Sequence, residues 1–208
     1  MFHAGIVMKN SRTGAASSAF RLLLAAALAG VLIWLIVIAP RNATDRGPSN
    51  PAVGTRIDTL TFVPLVGGEP IDAGDLQGKV TLVNYWGPWC GYCVVEFPHL
   101  MELEQHFRSN PSFQFLSVSC SGMPGDDANM AASTAAFLAD KKAEFPAYRD
   151  PGAVSRNHLD ERASLGGFGY PTTVVLDRQR VIRGLWVGFI AGDEIAMRQV
   201  IEQELRKN

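Results

Sequence analysis

The sequence predicts an α/β domain, a central mixed sheet flanked by helices, held behind one membrane-spanning helix. Three observations predict it. Strand-like and helix-like periodicities follow one another along residues 55–208 in the order strand, helix, strand, helix, strand, strand, helix. A buried-strand pattern, Lys79 to Trp86 (KVTLVNYW), runs straight into two cysteines that open a helix. Residues 22–39 (LLLAAALAGVLIWLIVIA) carry no charged or strongly polar side chain. About eighteen residues of helix reach roughly 27 Å, just enough for the hydrocarbon core of a bilayer.

Composition sets the outer bounds. The 208 residues make one ordinary domain plus some extra length, with 47% apolar and 19% charged residues, enough for a real core. The formal net charge of −1 gives no basic face for nucleic acid. Three cysteines, an odd number, exclude a fully paired disulfide framework.

The N-terminal stretch is read as a cytoplasmic head (1–21), a signal-anchor helix (22–39) and a linker (40–54). Lys9, Arg12 and Arg21 precede the apolar run with no acid among them. Positive residues stay on the cytoplasmic side, which puts the domain outside the cytoplasm, in an oxidising compartment. A cleaved signal peptide has a shorter apolar stretch and a small-x-small site, and Pro40-Arg41-Asn42-Ala43 is a poor one. A buried core helix would be shorter and partly polar. The linker, PRNATDRGPSNPAVG, is rich in Pro, Asn, Gly and Ser and has no apolar period.

Within 55–208, Leu60 to Val66 and the turn Gly67-Gly68 predict a small hairpin reaching Pro70-Ile71. Cys90 to about Arg108 has helical spacing, sampled by Val94, Phe97, Met101, Glu104 and Phe107, with an apolar stripe broadened by Leu100 and Leu103 and a kink expected at Pro98. Phe113 to Ser119 alternates as a strand. Residues 121–129 form a loop and 130–142 an Ala-rich helix. Pro171 to Asp177 and Val181 to Val187 pair across the turn at Arg178-Gln179, and Asp193 to Arg206 is the closing helix.

The chemistry is concentrated in Trp86-Gly87-Pro88-Trp89-Cys90-Gly91-Tyr92-Cys93. A thiolate is the form that attacks disulfides, and free N–H groups at a helix start favour negative charge. Cys90 stands there, and Cys93 follows on the same face, at a spacing that suits a disulfide. The competing reading is half a zinc site. Structural zinc takes four ligands, and Cys120, His99, His106 and His158 offer no second close pair.

WGPWCGYC resembles the active-site segment of the thioredoxin superfamily. With GDLQGKVTLVNYW before it and VVEFP after it, the chain from about residue 54 onward resembles the membrane-anchored TlpA/ResA-type thiol–disulfide oxidoreductases. The resemblance implies a thioredoxin-like fold with an N-terminal hairpin extension. It implies that Cys90 is the exposed nucleophile, Cys93 the buried resolving cysteine, and that the two form the redox disulfide. Tyr170-Pro171-Thr172 matches the family's cis-proline step, and Trp89 its substrate-side tryptophan. Glu96 matches an acid that such proteins place near the buried cysteine. There it would move protons or raise a thiol pKa; the alternative is a solvated Glu near a helix start. Asn84 stands where cytoplasmic thioredoxin has a buried Asp. The pair Gly91-Tyr92 resembles that of periplasmic disulfide isomerases, and Arg180 closes a turn where relatives have Gly. Cys120 is either a third redox thiol or a semi-buried free one, and His99 is a solvated or packed residue.

The resulting expectation is a thiol–disulfide oxidoreductase acting on protein disulfides through mixed disulfides, as a reductant in cytochrome c maturation or more generally. No cofactor motif occurs, so electrons would come from a membrane donor. The alternatives are a disulfide oxidase or isomerase, and a copper-binding assembly chaperone using Cys90, Cys93 and His99.

Overall fold

The structure is a computed structural model that describes residues 13–37, 45–122 and 127–207. Two compact units result, residues 1–44 and 45–208. In the first, helix α1 covers Thr13–Val37, and its apolar residues from Phe20 to Trp34 stand exposed. Among the described residues no helix is long and apolar enough to cross a membrane.

The second unit is built on a seven-stranded sheet. Its strands are β1 (Thr61–Val66), β2 (Ile71–Asp72), β3 (Val80–Trp86), β4 (Phe113–Ser119), β5 (Ala147–Arg149), β6 (Thr172–Leu176) and β7 (Ile182–Val187). They lie in the order β2-β1-β5-β4-β3-β6-β7. The pairs β3–β4 and β4–β5 are parallel and the others antiparallel. Helices α2 (Gly91–Phe107), α3 (Asp127–Lys141), α4 (Val154–Ala163) and α5 (Asp193–Arg206) complete it.

Strand β3 is buried at every position, as expected for an apolar run covered on both faces. Its side chains alternate between two cores. Leu82 and Trp86 join Phe97 and Leu100 of α2 and Met197 and Ile201 of α5. Val83 and Tyr85 join Leu116, Leu159 of α4 and Leu185. The helix over Asp193–Arg206 and the strand over Phe113–Ser119 fall where expected, and α2 runs through Pro98 as one continuous helix.

Three expectations need correction. The strand β5 and the helix α4 were not anticipated. Strand β5 has only three residues. Helix α4 (VSRNHLDERA) buries only Ser155 and Leu159, so no apolar stripe marks it. The tether ends earlier than residue 54. Gly47 exchanges backbone hydrogen bonds with Leu185, at 2.7 and 3.1 Å, and Ala52 is buried. Arg46 donates to the Asp193 carboxylate and to the carbonyls of Val187 and Gly188. A Pro/Asn/Gly-rich composition therefore describes an irregular strap lying on β7. Residues 40–44 of the expected linker lie outside the described residues. In the turn after β6, Arg180 holds φ 63°, a left-handed conformation that favours glycine. There Asp177 Oδ1 accepts from the N–H groups of Gln179 and Val181.

Candidate active site

Strand β3 ends at Trp86 and delivers the chain to the first turn of α2. Gly87 is required there, because a Cβ would come within 2.3 Å of Trp89 Nε1 and 2.9 Å of the Cys120 carbonyl. Cys90 is the N-cap of α2, in an extended backbone conformation, and its Sγ accepts the Cys93 N–H at 3.2 Å. The amide that favours a thiolate is thus already aimed at the sulfur. Cys90 and Cys93 are joined as a disulfide with their Cα atoms 5.2 Å apart. Cys90 keeps 7% of its surface and Cys93 only 1%, which ranks Cys90 as the sulfur a partner meets first. The rim is aromatic: Trp89 and Tyr92 are largely exposed.

Trp89 is fixed from two sides. Its Nε1 donates to the Cys120 carbonyl at 2.9 Å, and its ring meets Tyr170 edge-on at 5.3 Å. The Tyr170–Pro171 peptide is cis, and the Pro171 carbonyl accepts from Gly188 N–H at 2.6 Å. The Tyr170 hydroxyl takes a hydrogen bond from Arg156, and burial pushes its pKa up to about 12.

Glu96 is not solvated. It lies one helical turn beyond Cys93 with 1% of its surface exposed. Asn84 Nδ2 donates to Oε2 and Thr173 Oγ1 to Oε1, each at 2.9 Å. Burial raises its pKa to about 7, against the opposing pull of the Thr173 and Asn84 hydrogen bonds. A carboxyl poised near neutrality one turn from the Cys93 sulfur has the acidity for general acid–base work.

Cys120 is a free thiol, buried, with its Sγ 3.6 Å from the Val118 carbonyl. Burial pushes its pKa up to about 11, so little thiolate forms at neutral pH, and the geometry fits a structural thiol. His99 stacks on Phe189. Among the described residues no group of three or more His, Cys, Asp or Glu is placed to hold a metal.

A redoxin family model matches residues 52–200. The chain belongs to the redoxin family. This redoxin is of the ResA/DsbE thiol–disulfide oxidoreductase type. It is 35% identical to the thiol-disulfide oxidoreductase ResA of Bacillus subtilis over 38% of the chain and 44% of ResA. It is 30% identical to the thiol:disulfide interchange protein DsbE of Pseudomonas fluorescens over 70% of the chain and 71% of that protein. The chain thus spans less than half of the first relative and about seven-tenths of the second. Its thioredoxin-like fold matches a solved structure from Chlorobium tepidum that carries the DsbE name, with a TM-score of 0.58 and 25% identity over 74% of this chain and 97% of the other.

Of the site residues read from the sequence, the structure brings together Cys90 and Cys93, with Trp89 beside them, Tyr170 against Trp89, and Pro171 next to Tyr170. Glu96 joins from beneath. Thr173, Arg156 and Asp150 were missed. Thr173 was within reach of reasoning, since strand alternation from Pro171 turns it toward α2. Arg156 and Asp150 lie on or beside the unanticipated helix α4, and nothing local marks them.

Proposed function

We propose that this redoxin reduces protein disulfides outside the cytoplasm, fed with electrons by a membrane donor, with apocytochrome c cysteines among its substrates. The observation that carries the exchange chemistry is the Cys93 amide donating to the Cys90 sulfur at the start of α2. In the reduced protein the Cys90 thiolate attacks a substrate disulfide, forms the mixed disulfide and releases one substrate thiolate. Cys93, deprotonated, then attacks the Cys90 sulfur and releases the second. Two electrons and two protons pass to the substrate, and Cys90–Cys93 closes. A dithiol of the donor reopens it by the reverse steps.

The direction is tested by equilibrating the full chain against thiol/disulfide buffers. A reductant has a potential near about −270 mV, and an oxidant lies near about −120 mV. A value in the upper range would convert the reading to an oxidase or isomerase, which the exposed Tyr92 between the cysteines also fits.

The location rests on the apolar helix α1 and the bases before it. The bilayer would be entered through residues 22–39, as a single pass with the N-terminus in the cytoplasm. Protease added outside spheroplasts should digest the domain in its membrane-bound form. Protection from protease, or release of the chain by alkaline carbonate, would remove the anchor.

A further inference from the structure

Beside the loop on which Trp89 rests lies a cleft of about 430 Å³ that the exchange chemistry does not use. Cys120 and Gly122 form one wall, and Arg149, Asp150 and Arg156 the other. The first wall is the active-site loop itself: Trp89 donates to the Cys120 carbonyl, and its ring fills the space a Cβ on Gly122 would need. The second wall reaches the cis-proline step, because Arg156 donates to the Tyr170 hydroxyl.

Among the described residues lining this cleft the charges do not balance. The one acid among them, Asp150, has a fully buried side chain. The Asp150 carboxylate is already engaged by the N–H groups of Ser155 and Arg156, at 2.9 and 2.8 Å, and by Arg156 Nε at 3.3 Å. Arg149 sits on β5, only partly exposed, and its side chain makes no hydrogen bond or ion pair among the described residues. Two guanidinium groups thus face one occupied carboxylate. A partly desolvated guanidinium without a counter-charge recognises a carboxylate best, through its planar fork of donors.

We propose that the cleft receives an acidic side chain, Asp or Glu, of the polypeptide whose cysteine is joined to Cys90. The inference rests on the exchange reading above and deepens it by naming a substrate preference. A chain that reaches Cys90 passes Trp89 and Tyr170, and these two residues are hydrogen-bonded to Cys120 and Arg156, which line the cleft.

The test uses the reduced full chain in detergent micelles and three peptides with one internal disulfide, flanked by Glu, by Gln or by Lys. Rates are read from tryptophan fluorescence. The Glu peptide should react about 3-fold faster than the Gln peptide at low salt, the size expected of a partly exposed ion pair. The Lys peptide should be slowest, and the differences should shrink at roughly 0.5 M salt. Arg149→Gln should bring the Glu-to-Gln ratio to about 1, whereas Arg149→Lys should keep part of it. Equal rates for the three peptides with wild type, or a ratio that survives in Arg149→Gln, would overturn the acidic-side-chain proposal and leave the exchange reading standing. Wild type that reduces neutral dipyridyl disulfide but none of the peptides would overturn the polypeptide-substrate reading and this inference with it.

Discussion

Cys93→Ser is expected to abolish repeated turnover, by about 10³-fold or more, while Cys90 still attacks. Cys90 holds the N-cap position and receives the position-93 amide, an interaction of the backbone that a serine preserves. The attacking sulfur therefore keeps its stabilising donor. What disappears is the buried sulfur one turn away that resolves the mixed disulfide. Non-reducing gels of membranes from cells carrying this variant should show covalent adducts that collapse on adding dithiothreitol. Cys90→Ser should show none, because Cys93 keeps only 1% of its surface. Adducts formed equally well through Cys93 in the Cys90 variant would reverse the assigned roles.

Glu96→Gln has the second large expected effect, and it appears as a pH dependence. Burial raises the Glu96 pKa from 4.5 to about 7, so between these values the native state holds a proton that the unfolded state has released. Stability linked to this group is complete below about pH 4.5 and is lost as pH rises through about 7. The shift corresponds to about 3 kcal/mol, an order-of-magnitude figure. Denaturant unfolding from pH 4.5 to 8 should show this decline in wild type, and Glu96→Gln should flatten it. Exchange should change as well. If the carboxylate accepts the Cys93 proton during resolution, the single-turnover rate rises through about pH 7 in wild type and loses that inflection in the variant. Identical pH profiles for the two proteins would remove Glu96 from both roles.

The parts of the fold that could be read in advance are those where burial is periodic. Val80–Trp86 is apolar or β-branched at every position but Asn84 because it is covered on both faces. The closing helix buries Val200 and Ile201, whereas Ile195, which the same period would place on that side, is exposed and Met197 takes its place. Strand β5 was illegible because Ala147–Arg149 is too short to show a period. Helix α4 was illegible because it is almost wholly polar and begins after a left-handed Ala153. The two cysteines were legible from spacing alone. Whether Glu96 is buried depends on Asn84 and Thr173 meeting it from separate strands, and sequence distance hides such meetings. The Asp150–Arg156–Tyr170 chain of contacts was hidden for the same reason.

The strand order has a consequence for how the sheet ends. At one end the sheet stops at β2, two residues long. At the other, the outer side of β7 is occupied by bridges from Gly47 to Leu185 and from Arg56 to Val181. Among the described residues neither border offers a long row of unsatisfied amides and carbonyls on which another chain could add itself as a further strand. The sheet is therefore closed to edge-to-edge pairing at both borders, which disfavours aggregation through it.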